Sequence, residues 1–354
     1  VIEFVFTVDY EIFGDGRGSL KEHVLEPARR LMSLFEKAGM AFVLFVEAAE
    51  MEMIESAGSD PDIGQVRSQV LEFHRKGIEI GLHIHPWWYG GTFERGGWDF
   101  DDREYNLCKL PDGRIREIVD RSIAYLRSVL GEPDFRPFAF RAGHLIFQPT
   151  QPLAGILAER GVKADSSVYK GGLWRRHRLN YRPALKNGDF WTFSDDAARA
   201  DSRGALLEVP VYAKMVPVWR MFTSKRVGLQ SRGVPAARTR GKIASRLRDF
   251  LRFSYPQKLD LGQMTADEIR RMVNGLIRED EKGPARYRPV TALLHTKDPI
   301  DYSAVEALLD LLGQKGIRAS DFAGVYRRAI PLSGGSGGDA PRESGAGAVK
   351  GRER

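Results

Sequence analysis

Val1-Ile2-Glu3-Phe4-Val5-Phe6-Thr7-Val8-Asp9-Tyr10-Glu11 begins the chain with a run that is apolar at most positions and closes on two acids. Ile2–Asp9 reads as a strand buried on both faces, the pattern of a parallel sheet covered by helices. The residues just past this strand decide between two architectures. A doubly wound sheet that binds a dinucleotide has a glycine-rich turn from its first strand to its first helix. Here that place holds Asp9-Tyr10-Glu11, which favours a β/α barrel, whose polar strand ends converge on one mouth.

The same alternation continues outward from this strand. Val24–Ala38 carries apolar residues at helical spacing and stops at Gly39, and Ala41–Val46 is again strand-like. Val66–Arg75 reads as a helix closed by Gly77, followed by the strand Ile78–Leu82. Further on come a helix at Ile115–Leu130, a strand at Pro137–Phe140, a helix at Leu153–Arg160 and a strand at Val162–Ala164. The last units are Ala266–Arg278, Val290–Leu294, Ala304–Lys315 and Ile317–Ala319. Repeated strand–helix units imply parallel strands joined by crossover helices. The rhythm breaks between residues 167 and 261, which hold a hairpin-like pair (Asp189–Phe193 and Ala205–Val211) and are expected to form an irregular insertion at the mouth. One barrel domain over residues 1–332 is therefore expected, with a Gly/Ser-rich disordered tail from 333 to 354.

Composition narrows the functional classes. At 354 residues, 42% hydrophobic and 29% charged, the chain can bury a full core. No apolar run approaches the roughly 18–20 residues that span a bilayer. The single Cys108 excludes an internal disulfide framework and a Cys-based zinc site, and its neighbours show no nucleophile pattern. The net charge of +7 is concentrated: Lys214 to Lys258 holds twelve Lys or Arg against one acid, Asp249, so the rest of the chain is net acidic. A solvated face is the first reading of such a segment; contact with an anionic substrate or acidic lipid headgroups comes next, ahead of nucleic acid, for which no recognition motif is present. A cytoplasmic protein is expected, with peripheral membrane contact through residues 214–258 as an alternative to a purely solvated segment.

Five strands each end in a charged or metal-capable side chain: Asp9 and Glu11; His83 and His85; Arg141 and His144; Asp165; and His295. Residues two apart on an extended segment face one side, so Asp9 can join Glu11, and His83 can join His85. Two imidazoles and a carboxylate form an open site for a divalent ion. Trp87 and Trp88, with Tyr89 and Trp98, come after the histidines and could stack on a sugar ring or pack the loop onto the barrel. His23, His74 and His177 are expected at the surface.

In this order the motifs resemble those of the polysaccharide deacetylase (NodB-homology, carbohydrate esterase family 4-like) superfamily. Phe6-Thr7-Val8-Asp9-Tyr10-Glu11 resembles its first motif and Glu79–Pro86 its metal-histidine motif. Phe140–Gly143, Ala164–Ser167 and Leu293–His295 resemble the third, fourth and fifth. The resemblance implies a distorted (β/α)7-type barrel that removes an acyl group from an N-acetylated sugar of a surface polysaccharide or its precursor. It implies Asp9 as general base, Arg141 holding Asp9, His295 as general acid and Asp165 keeping that histidine cationic. It further implies one divalent metal (zinc, with cobalt or nickel as alternatives) on His83 and His85. Two departures stand out: Tyr10 replaces the family's second Asp, a metal ligand, and the histidines are one residue apart instead of three. Glu11 is the expected third ligand, with Asp9, Asp15 or His144 as alternatives, while Tyr10, Trp87, Trp88 and His144 are expected to face substrate. A metal-free, allantoinase-like amidohydrolase and a catalytically silent carbohydrate-binding barrel are the competing readings. The sugar, the acyl group and the oligomeric state are open.

Overall fold

The computed structural model describes residues 1–186, 189–223, 253–283 and 286–333. The expected tail and most of the basic segment lie outside these residues. Nine strands form one curled sheet: β1 (Ile2–Tyr10), β2 (Phe42–Glu47), β3 (Glu79–Ile84), β4 (Ala139–Ala142), β5 (Ala164–Asp165), β6 (Trp191–Phe193), β7 (Leu206–Glu208), β8 (Arg288–His295) and β9 (Arg318–Ala319). Their order is β6-β7-β5-β4-β3-β2-β1-β8, with β9 also beside β1, and every pairing is parallel except β6 with β7. Past β8 the sheet is continued only by single bridges, to Thr291 from Val211 just after β7 and to Leu293 from Asp260, rather than closed by a full ladder. The sheet is thus a curled α/β wall, less regular than seven equal strand–helix units.

Helices cover its outer face: α1 (Glu26–Ala38), α2 (Ala48–Ala57), α3 (Ile63–Arg75), α4 (Asp112–Leu130), α5 (Leu153–Glu159), α6 (Ala266–Glu281) and α7 (Tyr302–Gln314). Phe4, Phe6, Val8 and Tyr10 of β1 point into this helical layer and join the main core. The alternate residues of the strands line the concave side, where Val5, Val43, Phe45, Ala139 and Leu207 pack on Phe322, Val325 and Ala329. The last three belong to α8 (Phe322–Ser333), which closes the amino-terminal end of the sheet like a floor. Above that floor the inner face turns polar.

The helix boundaries obey their stop signals. Gly39, Gly77 and Gly131 all adopt the left-handed conformation that ends a helix without Cβ strain. Strand β4 begins two residues later than Pro137–Phe140 and so includes Arg141. Neither α2 nor α8 was expected: α2 comes directly after β2 without a turn signal, and α8 lies past the last strand. The stretch 167–261 is not wholly an insertion, because it contributes β6 and β7 to the main sheet. The two lie within the hairpin-like pair expected at Asp189–Phe193 and Ala205–Val211 and do pair antiparallel; what short strands do not disclose is that β7 also docks in parallel on β5.

Candidate active site

The strand ends of β1, β2, β3, β4 and β8 meet at the carboxyl end of the sheet, and Asp9 lies at their centre. Thr7, Asp9 and Glu11 share the inner side, as the two-residue period of a strand requires. Asp9 is buried, and its Oδ1 accepts a hydrogen bond from Arg141 Nη1 at 2.5 Å. Its Oδ2 faces His295 Nε2 at 3.5 Å and His83 Nε2 at 4.0 Å. Arg141 has no exposed surface; it also donates to Thr7 Oγ1 and to the Ser166 carbonyl, and lies over the Phe45 ring. Burial alone would raise the Asp9 pKa, but Arg141, then His83 and His295, outweigh it and hold the carboxyl below its ordinary value.

Glu11 Oε2 lies 3.2 Å from His85 Nε2 and 3.6 Å from His83 Nε2, while its Oε1 accepts from Lys297 Nζ at 2.6 Å. Burial opposes ionisation of Glu11, yet Lys297 and the two imidazoles hold its pKa well below the usual range. His83 Nδ1 donates to the Arg141 carbonyl at 2.8 Å, which fixes its tautomer and turns Nε2 towards the acids. Although burial disfavours its cation, Asp9, Glu11 and Glu47 raise the His83 pKa to about 9. His85 moves the other way, to about 4, because burial outweighs Glu11. Glu47, at the end of β2, completes a group with Glu11, His83 and His85 whose ligand atoms all lie within 4.8 Å of one another. Burial raises the Glu47 carboxyl to about 8.

The donor set suits a divalent ion. It combines two imidazoles and two carboxylates in one buried group, with the tautomer of one imidazole set by a backbone carbonyl. Buried atoms without a hydrogen-bond partner collect here too: Glu47 Oε2, Glu50 Oε2 and His85 Nδ1.

His295 Nδ1 meets Asp298 Oδ2 at 3.1 Å. Burial would lower the His295 pKa, but Asp298, followed by Asp9 and Asp260, raises it. This corrects the role expected of Asp165. Asp165 sits opposite Phe140 on β4, so its side chain points away from the inner face, towards Ser167 and Glu208. The carboxylate that supports His295 comes from three residues along its own chain segment.

Tyr10 also departs from expectation: strand alternation sends it outward, where its hydroxyl donates to Gln69 Oε1 at 2.8 Å in the core. Trp88 is fully buried against Trp98 and Phe100 and is part of the core. Trp87 and His144 do reach the site, as a wall of rings against His85 with centroids 5.0 and 4.5 Å away. His144 and Leu145 both have left-handed backbones, which hold the His144 ring in this wall. Asp15 pairs with Arg17 instead of the histidines. His177, expected at the surface, is buried between Trp174 and Tyr105.

Sequence reasoning missed Glu47, Lys297 and Asp298. Glu47 comes directly after the apolar run Phe42–Val46, so the strand-end rule applied to the other strands points to it as well. Lys297 and Asp298 carry no such signal, since only the turn after β8 brings them back to the site.

No family model matches the chain, and no curated protein matches its sequence. Solved structures do share its fold. One, from Mycobacterium smegmatis and described as a polysaccharide deacetylase, is 15% identical; the match has a TM-score of 0.55 and covers 98% of this chain and 95% of that one. A GH57 branching enzyme from Thermococcus kodakaraensis, 11% identical with a TM-score of 0.52, is matched over 95% of this chain and 72% of its own. A GH57-type branching enzyme from Pyrococcus horikoshii, 9% identical, also has a TM-score of 0.52, over 92% of this chain and 70% of its own. At these identities the likeness is one of fold, and chemistry must be argued from the residues.

Proposed function

We propose that the chain is an amide hydrolase of the polysaccharide-deacetylase kind, which releases an acyl group from an N-acylated sugar. The observation that carries this reading is Asp9, a buried carboxylate held at one oxygen by Arg141 and facing the His295 imidazole with the other. An amide needs an activated water, stabilisation of its oxyanion and a proton for its poor leaving group. Asp9 Oδ2 takes the proton from water as it adds to the carbonyl carbon. His295 Nε2, kept cationic by Asp298, gives a proton to the nitrogen as the carbon–nitrogen bond breaks. The products are a carboxylate and a free amine. The depressed acid and the raised imidazole are the protonation states these roles require near neutral pH.

His83, His85 and Glu11 would hold a divalent ion, for which zinc, cobalt and nickel are all candidates. When bound, such an ion supplies Lewis-acid polarisation of the carbonyl and lowers the pKa of water. The Trp87–His144 wall offers apolar ring surface to the sugar.

The test is acetate release from N-acetylglucosamine oligosaccharides. Wild-type protein is expected to release acetate, and Asp9→Asn and His295→Ala to lose turnover while still binding sugar. Undiminished turnover in both variants rejects the assignment. A second reading, metal-independent hydrolysis, is favoured by Lys297, whose ammonium already neutralises Glu11. Strong chelators separate the two: inhibition reversed by zinc, cobalt or nickel supports the ion, and insensitivity supports the lysine.

The substrate we infer is a lipid-linked or phosphorylated sugar met at the cytoplasmic membrane face, and not a nucleic acid. Met215, Trp219 and Phe253, which are 44%, 62% and 81% exposed, lie within the basic segment and support this. No helix among the described residues is long and apolar enough to cross a membrane, so contact would be peripheral. Binding to anionic vesicles should disappear at high salt; equal binding to neutral vesicles would refute it.

A further inference from the structure

We propose that Glu47 is a fourth protein ligand of the ion held by His83, His85 and Glu11, and that this ion is one that accepts five or six ligands. The inference rests on the metal-bound reading above and adds to it a residue from a different strand. Glu47 is the last residue of β2 and the direct register partner of His83 on β3, so both side chains project into the same end of the fold. Its ligand oxygen lies within 4.8 Å of those of Glu11, His83 and His85. Two ligands on opposite sides of an ion, each at about 2.0–2.2 Å, stand roughly 4 Å apart, so small side-chain movements suffice to bring all four onto one ion.

A plain structural role for Glu47 is to cap α2, and its Oε1 does accept from the Glu50 amide at 3.3 Å. A cap explains neither the residue type nor its burial. Ser, Thr, Asp and Asn are the preferred caps. Glu47 has no exposed surface, and its Oε2 makes no hydrogen bond. The neighbouring acids have their own cations: Asp9 has Arg141, and Glu11 has Lys297. Among the described residues no Lys or Arg pairs with Glu47. A buried carboxyl oxygen left without a hydrogen bond is costly unless a partner arrives. Lys297 does not fill this place, because it meets Glu11 at Oε1, while Oε2 faces the imidazoles.

Four protein ligands would complete a tetrahedral ion and exclude both water and substrate. Hydrolysis needs at least one more position, which two imidazoles and two carboxylates can share with water on manganese, iron, cobalt or nickel. The site therefore takes an ion of higher coordination number in preference to tetrahedral zinc.

The experiment is titration of chelator-stripped full-length protein with cobalt(II), followed by calorimetry and visible absorption. Wild type is expected to bind one equivalent with the weak bands of five- or six-coordinate cobalt. Glu47→Gln should raise the cobalt Kd at least about tenfold and change the spectrum. If that variant fails to fold, Glu47→Asp keeps the charge but draws it back by one methylene, and should also weaken binding. Wild-type affinity and spectrum in whichever variant folds would overturn the role of Glu47 and leave the His83–His85–Glu11 site standing. Intense tetrahedral bands in wild type would overturn the coordination number. Absence of any cobalt binding by wild type would remove this proposal together with the metal-bound reading, and leave Lys297 as the cation of the site.

Discussion

Replacing Arg141 by methionine removes a fully buried cation and leaves the buried Asp9 carboxylate with only the more distant His83 and His295 imidazoles. Breaking a buried pair from one side costs about 3–5 kcal/mol, because the remaining charge keeps its desolvation penalty without its partner. The Ser166 carbonyl and Thr7 also lose a donor, so the upper part of that range is expected. A chain of this size unfolds with an entropy of about 0.7 kcal/mol/K, which turns the loss into a fall in Tm of roughly 4–7 °C. Differential scanning calorimetry of Arg141→Met, Asp9→Asn and the double variant measures it. In the double variant neither charge remains, so its loss should be smaller than the two single losses together, by about 0.5–3 kcal/mol. Additive losses, or a fall below one degree in Arg141→Met, would show that this pair does not hold the site together.

Asp298→Asn should lower kcat more than it changes KM. His295 acts as a cation, so activity falls as pH rises through its raised pKa, and loss of Asp298 should move that alkaline limb to lower pH in a kcat profile; an unmoved limb argues against the pairing. Phe322→Ala empties the floor beneath Phe45 and should cost about 3–5 kcal/mol by chemical denaturation, with little change in sugar affinity; a loss under 1 kcal/mol would mean that α8 is not a packed floor. Burial raises the pKa of Glu208, with Asp165 adding to the effect, so its folded form holds a proton that the unfolded chain has released. Its stabilising contribution is complete below the unfolded value of about 4.3 and is lost as pH rises through the folded one. Glu208→Gln should therefore flatten the decline of Tm with pH across that interval, and an unchanged slope would contradict the assignment.

The elements legible in the sequence were those whose signal is local. Burial of β1 on both faces, the glycine stops after α1 and α3, and the acids and histidines at strand ends all depend on spacing along a few residues. Strand alternation likewise sufficed to put Asp9 with Glu11 and His83 with His85. Applied one residue further, it would have turned Tyr10 outward and flagged Glu47.

Other features depended on the path of the chain through space. Asp165 and Asp298 are both acids near a strand end, and nothing local distinguishes them as partners for His295. The pleat of the short strand at 164–165 turns one away, and the turn after β8 brings the other back. The docking of the β6–β7 pair onto β5, the α8 floor and the Lys297 contact with Glu11 are equally invisible, because each exists only through residues distant in sequence. The sequence by itself determined the kind of sheet and most of its polar inner residues, because side-chain period and hydrophobic burial are set residue by residue. Tertiary structure decided which charges meet, because buried ionic contacts act over a few ångströms, and only the closed course of the backbone brings their partners within reach.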